Sequence, residues 1–327
     1  MIPHNKVLTT EQDIEALVRV GRSNQLTQGP EVEALEAEYC AYTGRKYAVA
    51  VGSGLAALRL ALLCRRDLIP TVPAYSCVAL ANAAYSYSAK LGIADALPLS
   101  WTLDPSDIGE SPGQTAVVTV NTFGVKAPLP RAPLLVIEDC THGFGDHRSD
   151  IEVLSLHATK LVGGAAGGMI LTDVKTYADQ CRDRRDYDDK ASSGTRLNDK
   201  MSDIHAALAR AKLARLPELI EEREEHAAAY RCGLEHIDPG LLTLPLGGDR
   251  TWYRFVIRTK MEAPLLRAAL HRKGVGAELP IEWWPDDKAP YPAALNAYRR
   301  NVSLPLYPGL SKEALHHVCK AVSEIIA

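Results

Sequence analysis

Apolar residues recur along the chain at two spacings, and the alternation between them organises the sequence. In the first stretch the spacing is helical: Thr9, Thr10, Glu11 and Gln12 supply start signals, and Ile14, Leu17 and Val18 share one face. A second helix is predicted from Pro30, a residue suited to a first helical position, through Val32, Leu35 and Tyr39 until Gly44 stops it. KYAVAV (46–51) is short, Val-rich and continuously apolar, which predicts a buried strand. GSG (52–54) follows at once and LAALRLALLC (55–64) is helical, giving strand, glycine turn, helix. Further apolar runs predict strands at 68–73, 89–95, 116–121, 134–139, 153–158 and 168–173, with a helix at 77–88. Strands alternating with helices predict an α/β fold with a mostly parallel sheet.

The texture changes near Met201. The stretch 202–237 is long, charged and helical, with Pro217 marking a kink or a break. WYRFVIR (252–258) predicts a strand, 264–275 a helix ended by glycine, and 312–326 a closing helix. Two parts are therefore expected: residues 1–215, an N-terminal segment and a large α/β domain, and residues 216–327, a smaller α+β domain. The segment LPIEWWPDDKAPYP (279–292) is too apolar for a linker and is expected to be an ordered loop. Its Trp283 and Trp284 either face a ligand or pack a boundary, and packing is the default for large indoles.

Composition adds mainly exclusions. The 327 residues are 46% hydrophobic and 24% charged, with a net charge of −3, as in ordinary globular proteins. That excludes a disordered chain and a nucleic-acid binder that works by bulk positive charge. Seven scattered cysteines with no CxxC pair argue against a disulfide framework or a zinc site, so no metal is expected and a reducing, cytoplasmic setting is. No signal-peptide core and no run of 18 apolar residues is present, so no membrane partner is expected.

Three constellations carry candidate chemistry. VGSGLAAL places a glycine turn between a strand and a helix, where converging N–H groups and the helix dipole cradle an anion. The turn also fits the G-x-G-x-x-A form of the dinucleotide fingerprint, but no acidic residue ends a strand about 20 residues later to take a ribose. A tight turn without ligand is the bland alternative. In LLVIEDCTHGFG (134–145), Glu138 and Asp139 end an apolar strand, and alternation lets only one of them face a site. A helix cap or a salt bridge is the plainer reading of such a pair. In VLSLHATKLVGGAAGGMILTD (153–173), Lys160 lies between a strand and two glycine pairs, placed to form a Schiff base, with Ser155 near enough to hydrogen-bond a phosphate. Alone, such a lysine is more often a solvated charge. Cradle, strand-end carboxylate and lysine, in that order, are the three anchors of pyridoxal phosphate: phosphate site, partner of the pyridine nitrogen, and aldehyde carrier.

At these residues the chain resembles the DegT/StrS-type nucleotide-sugar aminotransferases, fold-type-I pyridoxal phosphate enzymes. The resemblance runs nearly end to end, through LTQGPEVEALE (26–36), KYAVAVGSGLAALRLAL (46–62), VPAYSCVALANA (72–83), VIEDCTHGFG (136–145), LSLHATK (154–160), GGMILTD (167–173) and VSLPLYPGLS (302–311). It implies a fold-type-I α/β architecture: a large domain with a central, mostly parallel sheet and a smaller C-terminal α+β domain. It implies that Lys160 carries the cofactor and shuttles the proton, that Asp139 pairs with the pyridinium nitrogen, and that His142 lies against the ring. Ser53, Gly54 and Ser155 would hold the phosphate, and Asn198 would reach the cofactor of a neighbouring subunit, which makes a homodimer with shared sites. The expected activity moves an amino group, from L-glutamate by resemblance, to a keto-sugar joined to a nucleotide.

The chain departs from the pattern at several places. Cys77 stands where the family carries an aromatic residue over the ring, with Tyr75 two positions earlier as its candidate substitute. Lys200 replaces the usual arginine after Asn198, and Tyr253 the usual histidine before the WYRFVIR strand. Only VKAPLPRAP (125–133) joins the strands at 116–121 and 134–139, where the family has a helix, so this crossover is expected to be extended. Two other readings keep much of this pattern: a sugar dehydratase or deoxygenase, against which Lys160 argues because one such branch has histidine there, and a non-catalytic scaffold or regulator.

Overall fold

A computed structural model describes residues 1–108, 114–131, 134–188, 194–245, 250–286 and 290–326. In chain order its helices and strands are α1 (Glu11–Ser23), α2 (Pro30–Thr43), β1 (Tyr47–Val51), α3 (Gly54–Leu63), β2 (Ile69–Pro73), α4 (Ala79–Tyr85), β3 (Gly92–Ala94), β4 (Thr115–Val120), β5 (Leu135–Asp139), β6 (Ile151–Ser155) and β7 (Gly168–Thr172). They continue with α5 (Lys175–Arg184), α6 (Asp203–Ala214), α7 (Leu216–Leu234), β8 (Leu242–Thr243), β9 (Phe255–Thr259), α8 (Ala263–Arg272), α9 (Pro292–Arg300), β10 (Asn301–Leu304) and α10 (Lys312–Ile326).

Seven strands form the main sheet in the order β1-β7-β6-β5-β4-β2-β3. From β6 to β3 every pairing is parallel, while β7 runs antiparallel to both its neighbours. Both faces are covered, as a parallel sheet requires. Alternation along β1 shows how: Val49 and Val51 join the apolar cluster built with α3 and α5, whereas Ala48 and Ala50 join the cluster built with α2 and α6. The fully buried Leu60 and Leu62 of α3 contribute about 2 kcal/mol each by leaving water. The second sheet, β10-β9-β8, is antiparallel and has its own apolar cluster with α7, α8 and α10.

Several elements differ from the sequence expectation. In α1, Ile14 and Val18 are exposed, and the buried face is Asp13, Ala16 and Val20. The reason is electrostatic: Asp13 accepts from Lys212 at 2.7 Å and Arg215 at 2.8 Å, so α1 docks on α6 through a charge cluster. The strand expected at 153–158 is β6 and stops at Ser155, because Leu156 turns to pair with Gly167 and Gly164. The strand expected at 252–258 begins only at Phe255. Before it, the buried Arg223 of α7 donates to the carbonyls of Trp252, Tyr253 and Leu306 at 3.4, 3.2 and 3.2 Å, taking acceptors that a sheet ladder would use. The helical stretch after Met201 breaks at Arg215, with Pro217 in the first turn of α7.

The shortened crossover is held by side chains. Residues 125–131 contain no helix. Asn121 anchors them, accepting from the Ala127 N–H at 2.9 Å while donating to Glu138 at 2.9 Å. Gly124 has φ +92°, and a Cβ there would lie 1.5 Å from the Thr251 carbonyl oxygen, so only glycine lets the crossover pass.

Candidate active site

The carboxyl ends of the central strands open into a cavity of about 330 Å³ lined by Ser53, Gly54, Tyr75, Cys77, Asp139, His142, Ser155 and Lys160, among others. Asn198 is not among its lining residues: it is exposed, on the irregular segment 194–200.

The cradle forms at the start of α3. Ser53 has an extended backbone, and its Oγ accepts from the Ala56 N–H at 3.1 Å. That leaves the N–H groups of Gly54 and Leu55 without helix partners. A Cβ on Gly54 would lie 2.8 Å from the Ser155 Cβ, so a glycine is needed for β6 to come this close. Ser155 Oγ accepts from the His157 N–H at 3.3 Å, and its own hydroxyl hydrogen remains to donate. The glycine pairs after Lys160 close the other side. A Cβ on Gly163 would meet the Ala158 carbonyl oxygen at 2.5 Å, and one on Gly168 would meet the Ser53 oxygen at 2.4 Å. The Lys160 turn therefore packs directly on the cradle.

Strand alternation separates the two acids of β5. Asp139 lines the cavity, and Glu138 faces away, bound by Asn121. Asp139 is buried and accepts from the Thr141 N–H at 2.9 Å, with no cation at ion-pair distance among the described residues. Burial raises its pKa, against the Thr141 hydrogen bonds and the charge of Lys160. A buried carboxylate lacking a cation suits the protonated ring nitrogen of pyridoxal phosphate, and the cradle suits its phosphate. The residues present fit that cofactor.

His142 completes the wall. Its ring stacks on Tyr253 with centroids 4.3 Å apart and on Phe123 at 5.8 Å. The Phe123 N–H donates to Nδ1 at 3.3 Å, and burial, followed by the charges of Lys160 and Arg254, drives the pKa well down. His142 is thus a neutral, planar surface. Lys160 Nζ lies 4.6 Å from the Tyr253 ring centroid. Burial pushes the Tyr253 phenol up, but Lys160 and Arg254 outweigh it and the pKa falls below 10.0. Tyr75 lines the cavity while its hydroxyl accepts from Asn301 at 3.1 Å. Cys77 lines the cavity and is exposed.

The Trp pair both packs and faces a groove. Trp284 donates to the Ser76 carbonyl at 2.9 Å, and Trp283 packs on Tyr298 at 5.6 Å. Both also line a groove of about 580 Å³ that shares Cys77 and Ile281 with the main cavity. Sequence reasoning missed Thr122, Thr141 and Arg254. The signal for Thr141 was its place two residues after the strand-end carboxylate, where an N–H can turn back to it.

Strand-end carboxylate, helix-terminus cradle and lysine turn on this sheet define a fold-type-I pyridoxal phosphate-dependent aminotransferase. The chain belongs to the DegT/DnrJ/EryC1/StrS aminotransferase family, whose model matches residues 8–323. It is 28% identical to the spore coat polysaccharide biosynthesis protein SpsC of Bacillus subtilis, over 99% of this chain and 97% of that protein. Among solved structures it is similar to Helicobacter pylori PseC, an aminotransferase involved in the biosynthesis of pseudoaminic acid, with a TM-score of 0.90, 21% identity, and 99% of each chain covered. It is also similar to Spr1654 of Streptococcus pneumoniae in its PLP-form, with a TM-score of 0.89, 19% identity, and 100% of this chain and 99% of that one covered. Among the described residues no helix is long and apolar enough to cross a membrane, and no group of three or more His, Cys, Asp or Glu is placed to hold a metal ion.

Proposed function

We propose that the enzyme transfers an amino group from L-glutamate to a keto-sugar, nucleotide-linked, in the cytoplasmic assembly of an amino-sugar or polysaccharide. The single observation that carries this reading is the cavity that gathers Asp139, Lys160, His142 and the Ser53–Gly54–Ser155 cradle in a chain of this family. The sugar acceptor rests on the named activities and pathways of its relatives.

When bound, pyridoxal phosphate supplies an electron sink and a carrier for the amino group. The protein does the rest. Ser53 and Ser155 hydroxyls and the Gly54 N–H hold the phosphate, and Asp139 keeps the ring nitrogen protonated. His142, uncharged and stacked with Phe123 and Tyr253, would add no positive charge beside the cofactor's cationic ring. Lys160 Nζ removes a proton from the donor's carbon and returns one to the acceptor's carbon.

Two further statements belong to this reading. Asn198 acts in the site of a second subunit; its exposure supports this, and so does the hydrogen bond of 2.7 Å from the Gly52 N–H to Asp199, which fixes its segment beside the cradle turn. The parts 1–215 and 216–327 are two domains, supported by the helix break at Arg215 and by the separate apolar cluster of the second sheet. The decisive test incubates the purified holoenzyme with glutamate and a panel of keto-sugar nucleotides. Glutamate-dependent amine formation is expected; loss of water from the sugar without it would overturn the assignment.

A further inference from the structure

The groove beside the cavity holds a cation that the chemistry above does not use. Arg254 follows Tyr253 and is half-buried. It donates to the Pro280 carbonyl at 3.0 Å, and no carboxylate lies at ion-pair distance from it among the described residues. Its guanidinium carbon is 5.4 Å from the centroid of the Tyr253 ring, the same ring over which Lys160 Nζ lies at 4.6 Å. Both cations also hydrogen-bond the Tyr253 phenol, so they converge on one hydroxyl, and an amine brought to the position of Lys160 Nζ has its own carboxylate within reach of Arg254.

The neighbours narrow the anion. His4 lines the groove, but it is bound to Ser303 at 2.9 Å and pushed down to about 4 by burial and then by Arg254, so it adds no second charge. Glu278 and Glu282 line the same groove, Glu278 with Arg267 at 3.4 Å. A diphosphate would place two or more negative charges against these acids with a single cation to balance them. One carboxylate instead matches the planar fork of one guanidinium.

We propose that Arg254 is the residue that recognises the carboxylate of the amino donor, so that the inner end of the groove admits an amino acid beside Lys160. This rests on the glutamate-dependent reading above and specifies where that donor is held. The test uses the holoenzyme and its Arg254→Gln and Arg254→Lys variants, with glutarate and uridine diphosphate as probes and tryptophan fluorescence of the Trp283–Trp284 groove as readout. Glutarate binding is expected to weaken by about tenfold or more in the glutamine variant, and by less in the lysine variant. Uridine diphosphate binding and the KM for the keto-sugar should stay within about twofold, while the KM for glutamate rises with the glutarate constant. Unchanged glutarate binding, or a loss of uridine diphosphate binding as large as that of glutarate, would overturn the proposal. If the glutamine variant does not fold, the lysine variant decides by the same ratio. If glutamate leaves the wild-type cofactor spectrum unchanged while glutarate still depends on Arg254, the donor assignment fails and the carboxylate site stands.

Discussion

Two walls of one cavity are built by different means. Ser53, Gly54, Asp139, Ser155 and Lys160 sit on strand ends and tight turns of a single sheet, positioned by main-chain geometry. The facing side is gathered from distant segments: Tyr75 is tied to Asn301, Trp284 to Ser76, and the main chain at Tyr253 to Arg223. The first wall meets a cofactor whose shape does not change. The second carries Tyr75, Cys77 and Tyr253, where the chain departs from the expected pattern, whereas Lys200 is paired with Asp186 and Asp188 beside the cradle turn. Long-range side-chain ties can hold such a wall without dictating what it displays.

The largest effect should come from the first wall. Lys160→Ala is expected to lower turnover by at least about 10³-fold, with cofactor still bound but no longer fixed to the protein by borohydride. Normal transamination by this variant would sink the mechanism. Next, Asp139→Asn should remove the partner of the ring nitrogen, weakening turnover by about 10²-fold, an effect of about 3 kcal/mol, measurable by steady-state kinetics at saturating cofactor. Gly54→Ala forces a Cβ to 2.8 Å from the Ser155 Cβ. It should weaken cofactor affinity by about tenfold, measured by titrating the apoenzyme with cofactor.

The smallest effect belongs to the second wall. Tyr253→Phe keeps the stack on His142 and should change turnover by about threefold or less, since only the phenol's contacts with Lys160 and Arg254 are lost. Its signature is spectroscopic instead. Lys160 and Arg254 favour the phenolate, so one tyrosine of the wild type should ionise below pH 10.0. The corresponding step in the ultraviolet titration should vanish in the variant. A Tyr253→Phe enzyme as inactive as Lys160→Ala would erase the contrast between the walls.

Much of the first wall was legible because its chemistry is local in sequence: a turn after a strand, an acid at a strand end, a lysine before glycines. Its sheet partners were not. A strand, glycine turn and helix read like the start of a parallel unit, yet β1 is an edge strand antiparallel to β7, a pairing made across more than a hundred residues. Helix α5 escaped notice because KTYADQCRDR buries only Ala178 and Cys181. Strand β10 was hidden by its polar Asn301 and Ser303, which are buried because Tyr75 and His4 bond them. The late start of β9 depends on Arg223, far upstream. Arg254 was invisible as a site because nothing local distinguishes it from a strand-edge cation; its value lies in facing a groove formed by the 278–284 loop.

Arg223 also bears on how such an enzyme can change. All three of its hydrogen bonds go to main-chain oxygens, so they are blind to which side chains follow. Positions 253 and 254 can therefore be exchanged while the backbone that presents them stays in place. An evolving lineage gains a display surface whose letters can be rewritten without refolding the page, and a protein engineer seeking a new amino donor has a bounded set of positions at which to begin.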